Sequence, residues 1–137
     1  MVKIAGIICE DREVQARCPY LSFVGPCNKL EDFYDQQDIA IVPCLWGTGV
    51  SIRLIEAMAY GMPIVTSTAG ARGFMSLVNE AFLVGDTPQS YADAIIRLCK
   101  SYELRQTLAD SAHSYAAQHL IPEVSFEPLV QVLHHNF

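Results

Sequence analysis

Long apolar runs are missing from this sequence. The N-terminal "VKIAGIIC" is too short for a signal-peptide core with a cleavage site. No stretch approaches the roughly 18 residues of a membrane-spanning helix. A cytoplasmic protein without a transmembrane segment is therefore expected. Clustered positive charge is also missing: nine Lys and Arg stand against fifteen Asp and Glu, a formal net charge of −6. That balance argues against non-specific attraction to nucleic acid or to an anionic membrane, so any phosphate site has to be local. The five cysteines are an odd number with no Cys-x-x-Cys pair, which favours reduced, partly buried thiols over a metal or redox role. Repeats, low-complexity linkers and charge blocks are absent too, and residues 1–137 are read as a single domain.

What is present is short and alternating. Apolar residues make up 51% of the chain and the mean hydropathy is +0.22. Values this high point to nearly continuous buried strands or to an apolar surface awaiting a partner. Short β-branched runs at 2–9, 21–25, 38–45, 62–68 and 81–85 read as strands, interleaved with helix-period segments at 29–37 and 50–61. This is the pattern of β-α-β units around a parallel sheet of about five strands. The tail turns helical. Thr87 and Pro88 are an N-cap and first-turn proline, 103–120 is a further helix closed by Pro122, and a last one begins at Ser125.

One stretch invites chemistry: "GTGVSIRLIEAMAYGMPIVTS", residues 47–67. In the helix over 50–61, Val50, Leu54, Ala57, Met58 and Gly61 form the stripe expected against the sheet, and Glu56 points away from it. The helix starts just beyond the carboxyl end of the third strand. There, helix N-H groups and the helix dipole favour an anion, and Gly47 and Gly49, lacking Cβ, would let it approach the backbone. An ordinary strand-to-helix turn accounts for the glycines equally well. "GTGVS" is neither Gly-x-Gly-x-x-Gly nor a Walker loop, which excludes a dinucleotide fingerprint and a P-loop ATPase.

The longer string "IAIVPCLWGTGVSIRLIEAMAYGMPIVTSTAGARGF" resembles the signature of the group 1 (family 4) retaining glycosyltransferases of GT-B fold. "LSFVGPCNKLEDFYDQQDIAIVP" upstream and "AFLVGD" downstream fit the same family, so the resemblance covers about residues 2–120. It implies the donor-binding, C-terminal half of such an enzyme: a Rossmann-like parallel sheet with flanking helices and a helical tail. It also implies that Gly47, Thr48, Gly49 and Val50 lie against the donor diphosphate, with Arg53 adding charge and Glu56 accepting hydrogen bonds from the ribose hydroxyls. Gly70 and Gly73 would line the sugar side. The ligand would be a nucleotide sugar such as a UDP-, GDP- or ADP-sugar, with no metal and no other cofactor.

The departures from the family are equally specific. The position eight before Glu56, where the family's Glu-x7-Glu pair has an acid, is Thr48. The family's Arg and Lys that clamp the diphosphate belong to a first strand-helix unit that this sequence lacks, as it lacks the N-terminal acceptor domain. In the family's strand order of 3-2-1-4-5-6 the missing first strand is central. The resulting slot is expected to close by rearrangement or through a second copy of the chain. The isolated chain is expected to be inactive, and to transfer a hexosyl group only when an acceptor domain, on a separate chain, completes it. The alternative function is a non-catalytic, oligomeric interaction module, with a homodimer as the expected partner.

The remaining polar residues read as structural. His113 and His119 are six apart in one helix and do not share a face, and His134 and His135 sit near the end. Ser51, Thr66, Ser67 and Thr68 read as helix-start and strand-end hydroxyls, and Trp46 as a shield for a ligand or for the sheet edge.

Overall fold

Parallel strands present two faces to be covered, so the chain must return over the sheet with a helix between successive strands. The computed structural model shows a helix in every connection but the last, which holds only a 3-10 turn at Met75–Leu77; it describes residues 1–136, excluding the side chains of Ile7, Ile8, Leu129 and residues 134–136. The chain divides into two compact units, Met1–Gln37 and one from Asp38 onward. All strand pairs are parallel.

In the N-terminal unit, β1 (Val2–Ala5) pairs with β2 (Leu21–Gly25). The strand expected over 2–9 stops early and gives way to a 3-10 turn at Ile7–Glu10. Among the described residues it pairs with β2, which ends at Gly25 opposite Ala5, so the ladder stops there. Helix α1 (Arg12–Arg17) was not anticipated. It buries no side chain, so it leaves no apolar period to read. Its sequence signal is the cap: Asp11 accepts from the Glu13 and Val14 amides at 2.9 and 3.2 Å. Helix α2 (Leu30–Tyr34) completes this unit.

The second unit contains β3 (Ala40–Val42), β4 (Ile64–Thr66) and β5 (Leu83–Val84), hydrogen-bonded in that order. The expected single sheet is thus two sheets, of two and three strands. The division falls between the strands that would flank the family's central one. Helix α3 (Ile52–Ala59) follows β3, and α4 (Pro88–Lys100), α5 (Tyr102–His119) and α6 (Pro122–Asn136) form the tail. Thr87 caps α4 with Pro88 in its first turn, as the sequence implies. Pro122, expected to close α5, instead opens α6 three residues before Ser125, because a proline lacking its N-H fits a first turn well.

Val65 and Leu83 from the sheet, Ala94 and Leu98 from α4 and Leu108 from α5 form one buried cluster. Leu54, Ala57 and Met58 of α3 are fully buried. The small residues Ala109, Ala112 and Ala116 let α5 come close to its neighbours, and α3 packs on α5. Val50 is an exception to the expected stripe. It lies before the helix, which starts only at Ile52 behind the Ser51 cap, and it is exposed. The described side chains of α6 are exposed, those of His134 and His135 lying outside the described residues.

Leu98 touches both the sheet and α5 and has no exposed surface. Leu98→Ala should therefore lower unfolding stability by about 2–5 kcal/mol, measured by urea titration.

Candidate functional site

After Val42 the chain leaves the sheet, and residues 43–50 have no regular structure until Ser51 caps α3. The Ser51 hydroxyl accepts from the Leu54 amide at 3.3 Å. Gly47, Thr48, Gly49 and Val50 are all exposed, as are Leu45, Trp46 and Ile52 around them. The loop is an open shelf at the carboxyl end of β3, with apolar side chains on its rim. Trp46, 82% exposed, covers no sheet edge.

The loop is held from one side by the segment that follows β4. Thr66 Oγ1 donates to the Val42 carbonyl at 3.1 Å. The Ser67 hydroxyl donates to the Cys44 carbonyl and accepts from the Gly70 amide. Arg72 Nη1 donates to the Gly47 carbonyl. A Cβ on Gly73, whose φ is +87°, would lie 3.4 Å from Val50 Cγ2. Two loops that the sequence suggested separately, 47–50 and 70–73, therefore meet.

The glycines divide by role. Gly70 is buried, and a Cβ there would run into Thr66 Oγ1 and lie 3.2 Å from Cys44 Cβ, so its place in the fold is packing. Gly49 has nothing within 4 Å of a Cβ, and Gly47 only Cys44 Sγ at 3.8 Å. Neither has the positive φ that favours glycine. The fold itself does not require glycine at 47 or 49.

Arg53 is exposed in the first turn of α3, where a cation opposes the helix dipole and no acidic residue offsets it. Glu56 is half-buried, off the face formed by Leu54, Ala57 and Met58, and has a bonding partner. Arg72 was not singled out in the sequence. Its one signal there was a basic residue between two glycines, and only the tertiary contact gives it meaning. An open groove of about 380 Å³ in the N-terminal unit, beside Lys3, Val24, Lys29 and Phe33, includes no predicted site residue. A second, of about 260 Å³ beside Ile55, Ala59 and His113, likewise misses the loop. No group of three or more potential metal ligands occurs among the described residues, and no helix there is long and apolar enough to cross a membrane.

Two ionisable groups near the strand ends are shifted. Hydrogen bonds from the Thr68 hydroxyl and amide, at 2.6 and 2.8 Å, hold the Asp86 carboxyl below the usual carboxylate range. Burial pushes the Tyr91 phenol up, partly offset by a hydrogen bond with Ser67. Neutral Tyr91 donates to the Val42 carbonyl at 3.1 Å.

Parallel strands with flanking helices, and a loop leading from a strand's carboxyl end into a helix, define a Rossmann-like domain. Residues 2–101 match the family described as Glycosyl transferases group 1, and the chain belongs to that family. An uncharacterized glycosyltransferase of Methanocaldococcus jannaschii is 27% identical over 109 residues, covering 77% of this chain and 27% of that protein. HepE of Anabaena, solved in complex with UDP, superposes with a TM-score of 0.82 at 18% identity, over 97% of this chain and 40% of its own. Sucrose-phosphate synthase from Thermosynechococcus elongatus gives 0.78 at 21% identity, over 92% and 34%. The C-terminal domain of a Francisella tularensis group 1 glycosyl transferase, LpcC, gives 0.69 at 18%, over 81% and 62%. At these identities the structures share the fold, and the chain spans less than two thirds of each.

Thr68→Val, which removes one of the two hydrogen bonds to Asp86, should move that carboxyl's pKa upward toward its ordinary value, read by NMR titration of the carboxyl carbon. Because the folded pKa is depressed, this tie stabilises the protein above the ordinary carboxylate range and is lost as pH falls through the lowered value. The variant should accordingly lose its difference from wild type in strong acid.

Proposed function

We propose that the shelf at 47–50 and the start of α3 bind the diphosphate of a nucleotide sugar, making this chain the donor-binding half of a glycosyltransferase. Gly47 and Gly49 carry the reading: the fold does not require them, and they leave exposed backbone open to a ligand. Membership in the glycosyl transferases group 1 and the UDP complex of HepE support it. In this reading the amides of the loop stabilise negative charge on the diphosphate, the leaving group of sugar transfer. Arg53 adds positive charge, and Glu56 accepts hydrogen bonds from the ribose hydroxyls. Gly73, beside Val50, opens the sugar side.

The shelf is open, and Thr48 has no carboxylate to act on the sugar. Transfer of a hexosyl group therefore belongs to an assembly in which an acceptor domain covers the site and positions the second substrate. A second reading rests on the exposed side chains of Leu45, Trp46, Val50 and Ile52, which form an apolar rim suited to a protein contact. On that reading the chain is an interaction module, working as a homodimer or with a separate chain, that keeps the fold without the donor.

Titration with UDP-, GDP- and ADP-sugars, followed by amide NMR, separates the two. Donor binding shifts Gly47 to Val50 and Glu56, whereas silence at millimolar ligand leaves the module. Gly49→Ala should keep stability within about 1 kcal/mol of wild type while weakening the nucleotide response. A variant that binds donor as wild type does would contradict the role given to that glycine. Without an acceptor-domain partner, purified chain should show no sugar transfer in a product assay.

A further inference from the structure

We infer that Arg72 is a cation that contacts the ligand's diphosphate, held in place by the Gly47 carbonyl; this rests on the reading of residues 47–50 as the diphosphate site. Arg72 reaches the shelf out of the loop that follows β4.

Three observations carry the assignment. Arg72 is exposed, and its guanidinium Nη1 donates to the Gly47 carbonyl. A guanidinium has five N-H donors, so the tether leaves others for an oxyanion, and a carbonyl neutralises none of its charge. Next, the two loop segments bring it no carboxylate of their own, and the Asp86 carboxylate that touches Thr68 is engaged by the Thr68 hydroxyl and amide. Residues 43–51 and 67–74 contain no Asp or Glu in a chain of net charge −6. Finally, the loop bearing Arg72 is anchored on both sides. Gly70 is packed under Thr66 and Cys44, and Gly73 sits against Val50. The charge is thereby held at the Gly47 carbonyl beside the exposed residues Gly47 to Gly49, and its long side chain does not have to be ordered anew when a ligand arrives.

A staple with no ligand role would use the same hydrogen bond, so the test must separate charge from tether. Arg72→Gln keeps an N-H donor for Gly47 and removes the charge, whereas Arg72→Lys keeps the charge. With UDP, GDP or ADP as the probe, Arg72→Gln should weaken binding about tenfold and flatten its dependence on salt. Arg72→Lys should retain more affinity than Arg72→Gln, and binding of the corresponding nucleoside should not change in either. In wild type, the Arg72 guanidinium nitrogen resonances should shift when the nucleoside diphosphate is added, a readout independent of whether a variant folds. Wild type that binds a nucleoside diphosphate without that shift, or Arg72→Gln that binds it as tightly, overturns the inference and leaves the donor site standing. Wild type that binds none of the three removes both.

Discussion

The carbonyl of Val42 accepts hydrogen bonds from two hydroxyls, Thr66 Oγ1 and Tyr91 Oη, both at 3.1 Å. It is the last residue of β3, and those partners come from β4 and α4. The exit of the chain from the sheet is therefore pinned from two directions. A bonded hydroxyl in this setting contributes about 1 kcal/mol net, and leaving a buried partner unsatisfied costs more than the bond gains. Ser67 repeats the device one step further out, joining the Cys44 carbonyl to the Gly70 amide. Arg72 repeats it again at Gly47. An eight-residue segment without regular structure is thus held at successive carbonyls, and the shelf inherits its position from the sheet.

Burial and exposure are arranged around that shelf in opposite ways. Behind it, α3 sinks Leu54, Ala57 and Met58 against a core in which α5 contributes mainly alanines. In front, Leu45, Trp46, Val50 and Ile52 stay in solvent. The positive mean hydropathy has both sources: fully covered strands such as Ile64 to Thr66, and large apolar side chains left outside. An exposed apolar rim of this kind suits a surface that works when something else closes over it.

This chain spans 40% of the HepE chain and 34% of the sucrose-phosphate synthase chain. Its strands pair as β1 with β2 and as β3, β4 and β5 in order.

Local chemistry accounts for what was legible in the amino acids. Thr87 and Pro88 announce α4, and Leu54, Ala57 and Met58 name the buried face of α3. The Leu-Ile-Glu-Ala-Met-Ala string marks the family, because each depends on neighbours within a few residues. Strand ends were less legible, since a strand lasts only as long as its partner runs beside it, and β1 stops where β2 stops. Helix α1 escaped notice because an exposed helix carries no apolar period. The division of labour among the glycines could not be read at all: whether a missing Cβ serves packing, as at Gly70, or leaves open space, as at Gly49, depends on atoms distant in sequence. Arg72 belongs with them. Its charge was in the sequence, but its place beside Gly47 came from parallel pairing of β3 with β4, which sets two loops 25 residues apart side by side.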